Sequence, residues 1–270
     1  SARHAWFAHP KLNPAYEPEV DDKFDLGTAA HALLLEGEAG CVIVEAKDWK
    51  TNDAKEKKAA ARAAGKVPLL AHRWADVQAM AAAAVRQLDA HEDPPRPLAG
   101  GLPEQALIWQ EGDVWCRARL DWLHDGQIMV DDYKTTGGTA NPDAWTRGPI
   151  FANGYDLQAA FYLRGLAVLF GIEAGFRFVV QETYLPYALA VIGLGADVLT
   201  IAEKKRRHAV EIWRYCLETN IWPAYPTRTC YAELPPWEEA RWLERELRDE
   251  RPRGVRDDGR SIEGLLVEGT

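Results

Sequence analysis

Two aspartates and a lysine in the middle of the chain, Asp121, Asp132 and Lys134, have the residue types needed to act on a phosphodiester bond. Two carboxylates about 7–8 Å apart, the Cα separation of diagonal neighbours in a sheet, can share a divalent cation such as Mg²⁺. The cation polarises a phosphate and acidifies a bound water, and a nearby lysine positions or deprotonates that water. The three residues therefore suggest a metal-dependent phosphodiester hydrolase.

A predicted β-hairpin places these side chains together. Side chains alternate between the two faces of a strand, so Asp131 and Asp132 point to opposite faces. If Asp125-Gly126 is the centre of the turn, Asp121 lies opposite Val130, on the face of Asp132 and diagonal to it. The lysine two residues after Asp132 lies on that face as well. Alternation thus selects the second acid of the Asp-Asp pair as the metal ligand.

Two other interpretations of this segment stay open on the residues alone. The charges could form the solvated face of a hairpin, although Ile128 and Val130 share that face and argue against full exposure. The acid pair could belong to an unrelated hydrolase such as a glycosidase. That second interpretation leaves Lys134 without a role, and also Gln158 and Tyr162, which lie on one face of a predicted helix.

The elements that must hold this site follow from hydrophobic periodicity and turn residues. Helices are predicted over 25–36, 52–64, 74–90, 155–170, 197–219 and 236–250. Strands are predicted over 41–45, 105–110, 114–123, 127–134, 175–183 and 187–194. This order predicts one mixed α/β domain over residues 1–250, with a central mixed sheet flanked by helices. Residues 1–20 are expected to be an irregular lead-in, and residues 251–270 a tail that could be mobile.

Composition restricts the class of protein further. The 270 residues are 47% hydrophobic and 27% charged, with a net charge of −9, as in ordinary globular proteins. No signal peptide and no membrane segment are expected, and four widely spaced cysteines indicate reduced thiols in a cytoplasmic protein. The acidic charge gives no hint of nucleic-acid binding, although a local basic rim could still hold phosphates. No phosphate-binding GxxxxGK[ST] loop is present, so no use of ATP is expected.

Several segments together resemble a known family. The Asp132-Tyr133-Lys134 strand looks like the PD-(D/E)XK nuclease signature, whose fold is a restriction-endonuclease-like core. The wider set resembles the RecE-type phage exonucleases, the exodeoxyribonuclease VIII family. Its members are LGTAAHALLLE (26–36), Glu104 before a strand, CRARLD (116–121), DYKTT (132–136), QAAFY (158–162), PYA (186–188) and WPAY (222–225). The resemblance spans about residues 1 to 237, with the motifs in the family order.

The resemblance implies a metal-binding role for five positions of the site. His31 and Asp121 would be metal ligands, and Asp132 would be the central ligand. The carbonyl of Tyr133 would assist. Glu104 would bind a second metal or its water. Mg²⁺ is the implied cofactor, with Mn²⁺ expected to substitute for it.

The remaining implied roles concern catalysis and DNA contact. Lys134 would be the catalytic lysine, and Gln158 and Tyr162 would position the scissile phosphate or the DNA end. Candidates for further phosphate contacts are basic residues on two helices, although such runs are more often solvated faces. They are Lys204, Lys205, Arg206 and Arg207, and also Lys55, Lys57 and Lys58. Some relatives hold an iron–sulfur cluster, but Cys216 and Cys230 have no third downstream partner, so no cluster is expected.

The resemblance implies an ATP-independent exodeoxyribonuclease that degrades linear double-stranded DNA from the 5′ end in phage-type recombination. The expected partners are duplex ends, a single-strand annealing protein and further copies of the chain in a ring, with no membrane. The expected location is the cytoplasm of a bacterium or a phage-infected host. A structure-selective or single-strand nuclease stays open, as does a catalytically silent binding module on the same fold. Retention of the whole motif set argues against silence.

Overall fold

The computed structural model describes residues 1–17, 25–37 and 40–247. The chain divides into two units, residues 1–223 and residues 224–270. The predicted tail 251–270 lies outside the described residues, and the prediction of a single domain over 1–250 stays a prediction. Within the second unit, the described residues contain helix α9 (Pro236–Leu247). All other elements belong to the first unit.

The described part of the first unit is built around a five-stranded mixed sheet in the order β3-β4-β5-β6-β7. Strands β5 and β6 are parallel, and the other neighbours are antiparallel. The strands are β3 (Gly101–Glu111), β4 (Val114–His124), β5 (Met129–Thr136), β6 (Gly175–Glu182) and β7 (Leu189–Gly193). A separate parallel pair joins β1 (Cys41–Val44) to β2 (Val67–Leu70).

Helices connect and cover these strands. They are α1 (Ala2–Phe7), α2 (Asp25–Glu36), α3 (Asn52–Ala63), α4 (Ala71–Asp89), α5 (Pro142–Arg147), α6 (Pro149–Ala152), α7 (Tyr155–Phe170) and α8 (Ala196–Thr219). The segment from α5 to α7 forms the crossover between the parallel strands β5 and β6, as a parallel pair requires. Among the described helices, none combines the length and apolar composition that a membrane crossing requires.

The two faces of the sheet carry different helices because successive strand side chains point to opposite sides. Val130 and Phe178 pack in one core cluster with Leu166 of α7. Tyr133 and Val179, at the alternate positions, pack in another cluster with residues of α4. The prediction of a mixed α/β fold with a central sheet flanked by helices is therefore confirmed.

The register of β4 on β5 differs from the prediction by two residues. Leu123, rather than Asp121, lies opposite Val130. The turn is longer than a two-residue hairpin loop, because residues 125–127 form a single 3₁₀ turn with positive φ at Gly126 and Gln127. A shift of two keeps every side chain on its predicted face, and in this register Asp121 and Asp132 follow directly after the last paired residues.

Some elements were not predicted. The sequence pattern assigns no element to strand β2 or to the short helices α5 and α6. The predicted irregular lead-in contains helix α1, whose first turn is capped by the Ser1 side chain. These elements are only four to six residues long, too short for a clear hydrophobic period.

Candidate active site

Three predicted site residues from three different elements converge in the described structure. His31 comes from α2, Glu104 from β3 and Asp121 from β4, and one ligand atom of each lies within 4.8 Å of the others. His31 Nε2 is 3.3 Å from Asp121 Oδ2, and His31 Nδ1 is 3.8 Å from Glu104 Oε1. One imidazole and two carboxylates are thus arranged around a common point.

Helix α2 carries His31 to this point through a close contact with β5. A Cβ atom added at Gly27 would clash with Thr135 Oγ1, so a larger residue there would force the helix or the threonine to move. His31 follows one helical turn later and on the same side. Its ring lies 6.0 Å from the ring of Tyr133. The glycine therefore sets how closely His31 approaches the strand.

Asp121 lies where β4 and β5 separate. The two strands pair only at Trp122–Asp131 and Leu123–Val130. Beyond these pairs the backbone N–H of Tyr133 donates to Asp121 Oδ2 at 2.9 Å. The carboxylate thus takes the hydrogen bond that a neighbouring strand would otherwise accept. This contact fixes Asp121 at the opening between the strands.

Glu104 has an unusual backbone conformation for a residue within a strand. Its φ is 55°, in the left-handed region that non-glycine residues rarely adopt. The β3–β4 pairing continues on either side of it, at Pro103–Trp122 and Gln105–Leu120. Such strained positions cluster at functional sites. The sequence placed Glu104 before a strand, whereas the structure places it inside β3.

The Glu104 carboxylate is only partly satisfied. Its Oε2 forms an ion pair with Arg119 Nε at 2.7 Å, but neither buried oxygen makes a regular hydrogen bond to a described residue. Burial raises the pKa of Glu104, and the charges of Arg119 and His31 oppose that rise. The pKa of His31 is also raised: burial lowers it, but the hydrogen bond and charge of Asp121 outweigh burial.

Asp132 is fully buried beside this cluster. Gln158 of α7 donates to its Oδ1 at 2.7 Å, and Lys134 Nζ forms an ion pair with its Oδ2. Burial and, to a smaller extent, the Asp121 charge raise the pKa of Asp132 to about 7, against the opposing effects of Lys134 and His31. A carboxyl group in this position is costly to ionise unless a positive charge compensates it.

Lys134, Gln158 and Tyr162 extend the site along α7. Gln158 Nε2 is 3.0 Å from the Tyr162 hydroxyl, which confirms that these residues share one face of the helix. Lys134 Nζ lies 5.2 Å from the centre of the Tyr155 ring. Burial lowers the pKa of Lys134, but the Asp132 carboxylate outweighs it and leaves the pKa raised. The lysine is therefore held as a cation.

The geometry fits a divalent cation held by His31, Glu104 and Asp121. The observation behind this statement is Glu104 Oε1, a buried oxygen without a hydrogen bond that faces the imidazole. Carboxylate and imidazole ligands together suit several divalent metals. Asp132, predicted as the central ligand, lies outside this three-residue group. The group instead includes Glu104, which was predicted for a second metal or its water.

The basic residues proposed for phosphate contact are mostly engaged elsewhere. Arg206 is buried and paired with Glu203 and Glu111, and its role as a phosphate ligand stays a prediction. The other pairs are Lys205 with Asp156, Arg207 with Glu203 and Lys57 with Asp53, while Lys58 is buried beside the Trp49 ring. Of these seven proposed residues, Lys204 and Lys55 are the two whose side chains are exposed and form no ion pair with a described residue.

One contact residue was missed. Arg119 is the group that holds Glu104, although the sequence analysis gave it no role. Its signal was present, because it lies two residues before Asp121 and strand alternation carries both towards one side. The local distortion at Glu104 has no comparable sequence signal.

Two of three comparisons with known proteins agree with this fold. The family model described as "PDDEXK-like domain of unknown function (DUF3799)" matches residues 6–234. The crystal structure of a "putative exonuclease" from Eubacterium rectale is similar, with a TM-score of 0.55 and 12% identity. The match covers 89% of this chain and 84% of that chain. No sequence among the curated proteins matches significantly. The fold is thus the PD-(D/E)XK core that the sequence predicted.

Proposed function

The chain belongs to this family of PDDEXK-like domains, and from that premise we propose that it is a metal-dependent nuclease acting on linear double-stranded DNA. The observation that carries the proposal is the His31–Glu104–Asp121 group, with its unsatisfied carboxylate oxygen, beside the buried Asp132–Lys134 pair. Most buried carboxylate oxygens have a hydrogen-bond partner, and a cation bound between these three side chains would supply the one that this oxygen lacks.

The metal would be held by His31, Glu104 and Asp121, with Asp132 next to them. A bound divalent cation would polarise the scissile phosphate and lower the pKa of a water that attacks it. Mg²⁺ is the proposed ion and Mn²⁺ a substitute. Its positive charge would also favour the ionised form of Asp132, which burial otherwise disfavours.

The chain's own side chains divide the remaining work. The ammonium group of Lys134 would lie against the attacking water and the phosphoryl oxygens, where negative charge builds in the transition state. Gln158 donates to Asp132 and so sets the orientation of that carboxylate. Tyr162, in contact with Gln158, would orient the phosphate at the same end of α7.

End dependence and strand polarity come from the RecE-type resemblance alone. On that basis the enzyme would degrade one strand of a linear duplex from its 5′ end without ATP. It would leave 3′ single strands for an annealing protein. A ring of several copies would enclose the duplex, with basic groups concentrated in its channel and acidic groups outside.

The direct test is incubation of the protein with end-labelled linear duplex, with Mg²⁺, with Mn²⁺ or with a chelator, beside a closed circular duplex. We expect digestion of the linear DNA in either metal, none with chelator and none of the circle. Labels on the 5′ or the 3′ end report the polarity. Absence of cleavage under every metal condition would contradict the nuclease proposal. Rapid cutting of circles would contradict only the end dependence.

The assembly is tested separately by light scattering at the concentration used for cleavage. We expect a mass of several chains. A monomeric mass at that concentration, with cleavage intact, would contradict the ring and leave the nuclease proposal standing.

A further inference from the structure

A cavity of about 500 Å³ lies beside the candidate site, between β4, α7 and α8. Its walls are mainly aromatic and aliphatic side chains, among them Trp115, Leu157, Phe161, Tyr162, Val210 and Trp213. This volume is in the range of small-molecule sites, roughly 300–1,000 Å³. The sequence analysis assigned no role to any of these residues except Tyr162.

The cavity is continuous with the catalytic group. Gln158 and Tyr162 line it, and Gln158 also donates to Asp132 Oδ1 at 2.7 Å. One side chain therefore separates the cavity from the buried carboxylate. An occupant of the cavity would therefore lie one side chain away from Asp132.

The aromatic side chains that line the cavity favour a nucleobase as its occupant. Aromatic side chains bind unpaired bases by stacking, each contact contributing to affinity without regard to sequence. Trp115 is 69% exposed and offers a ring face of this kind. Arg117 also lines the cavity, and among the described residues it makes no hydrogen bond or ion pair. Its charge is free for a phosphate of the same strand.

We propose that this cavity binds one unstacked nucleobase of the substrate strand, next to the scissile phosphate, with Arg117 as the cation for the adjoining phosphate. The inference rests on the proposed nuclease function and deepens it. The active end of the substrate would then be a nucleotide released from its partner strand. A fully paired end would have to open by at least one base pair before cleavage.

The test fills the cavity from one wall. Ala209 of α8 lines it, and His208, the preceding residue, is exposed and does not. Ala209→Phe and His208→Phe therefore place the same ring on the same helix, inside and outside the cavity. Single-turnover cleavage of a linear duplex over a range of enzyme concentrations gives the half-saturating concentration and the maximal rate. We expect Ala209→Phe to raise the half-saturating concentration about tenfold, and His208→Phe to leave it unchanged.

A second substrate identifies the occupant as a base. The same duplex is prepared with abasic analogues at the terminal nucleotides of one end. For the parent protein we expect the half-saturating concentration to rise about tenfold on this substrate. For Ala209→Phe we expect no further rise, because the variant has already lost the contact that the missing base would make. Trp115→Ala is expected to behave like Ala209→Phe, with Trp237→Ala, an equally exposed tryptophan, as its control.

Equal cleavage of the normal and abasic duplexes by the parent would overturn the base site while leaving the nuclease proposal intact. The same holds if Ala209→Phe and His208→Phe behave alike. If the parent cleaves neither substrate in any metal, the proposed function fails and the base site fails with it. An additive loss from Ala209→Phe and the abasic end would show that the cavity holds something other than the base.

Discussion

Asp131 and Asp132 are neighbours on β5, and both are fully buried, yet they lie on opposite faces of the sheet in opposite environments. Asp131 accepts from Arg177 at 2.7 Å, from His124 at 2.6 Å and from the Leu98 backbone at 2.8 Å. Asp132 receives one amide hydrogen bond and one lysine. The same side chain is thus fully satisfied on one face and only partly satisfied on the other.

The pKa values follow this difference. Burial alone would raise the pKa of Asp131, but the donors of His124 and Arg177 outweigh burial and lower it. Burial and the nearby Asp121 carboxylate together raise the pKa of Asp132 to about 7, although Lys134 and His31 oppose the rise. Equal burial therefore gives opposite shifts, because the number and charge of the donors decide the sign. The incomplete network marks the face where a cation and a substrate can enter.

The largest effect is expected from removing the charge of Asp132, the carboxylate with too few hydrogen-bond donors. Asp132→Asn should slow cleavage at least about 10³-fold, since both the cation and Lys134 depend on that charge. The melting temperature should change little, because the loss of a buried carboxyl next to Asp121 is offset by the loss of the ion pair with Lys134. Single-turnover cleavage and thermal unfolding measure the two effects. A variant that cleaves at near-parental rate would mean that the wrong face has been chosen.

Removing the charge of Asp131, whose hydrogen bonds are all formed, should reduce stability rather than cleavage. Asp131→Asn leaves the buried Arg177 guanidinium without its carboxylate and should cost about 3–5 kcal/mol of unfolding free energy. Cleavage per folded molecule should be largely retained. Denaturant unfolding supplies the free energy, and Asp125→Asn in the exposed turn is the matched control. Equal loss of specific activity in the Asp131 and Asp132 variants would remove the distinction between the faces.

Lys134 should contribute to the rate rather than to binding. Lys134→Ala should cleave roughly 10²–10³-fold more slowly, the usual effect of losing one preorganised charged group. Mg²⁺ binding should survive because the acids and His31 hold the ion, and DNA binding should survive because many phosphate contacts share it. Cleavage at saturating enzyme and a separate DNA-binding titration distinguish these effects. Lys50→Ala, at a lysine 88% exposed, is the control.

Stabilisation by a metal ion should depend on the residues on the Asp132 face of the sheet and not on Asp131. A ligand that binds only the folded state at 100 times its Kd stabilises it by about 2.7 kcal/mol, so added Mn²⁺ should raise the melting temperature of the parent. Glu104→Gln should lose most of this rise, and Asp131→Asn should keep it from its lower starting point. The same rise in Glu104→Gln as in the parent would place the ion elsewhere.

The smallest expected effect concerns the approach of α2. Gly27→Ala should weaken metal affinity about tenfold by shifting His31, since residues that orient ligands typically contribute this much. Gly137→Ala is the control, because a Cβ there meets nothing within 4 Å. Adding Thr135→Ala to Gly27→Ala should restore part of the affinity by removing the Oγ1 atom in the way. No loss in the single variant would show that the helix position is not critical.

The sequence predicted the long elements and the faces of their side chains well. Helices α2 and α7 have the predicted bounds, because both are rich in apolar residues and Gly171, in the left-handed conformation, ends α7. The predicted β4–β5 register was wrong by two residues. Gln127 has a positive φ, which residues other than glycine rarely adopt, and the sequence of the turn gave no sign of it. The alternation argument survived that error, because a shift of two preserves every face.

The sequence could not supply the partners that come from distant segments. Arg177 and His124 complete the Asp131 network from separate strands. The burial of Arg206 results from the packing of α8 and the position of Glu111, not from its own charged neighbourhood. Each depends on tertiary proximity between residues far apart in the chain, which a local pattern does not encode. The cavity beside Gln158 is of the same kind, since β4, α7 and α8 together form it.

The left-handed backbone of Glu104 also bears on how this protein can change over generations. Holding a glutamate in that conformation costs roughly 1–3 kcal/mol, which the rest of the fold must offset. A glycine at this position would relax the backbone and raise the free energy of unfolding. It would also remove one carboxylate from the proposed metal site. Stability and activity therefore compete at a single residue, and selection for heat resistance alone would tend to erase the site here first.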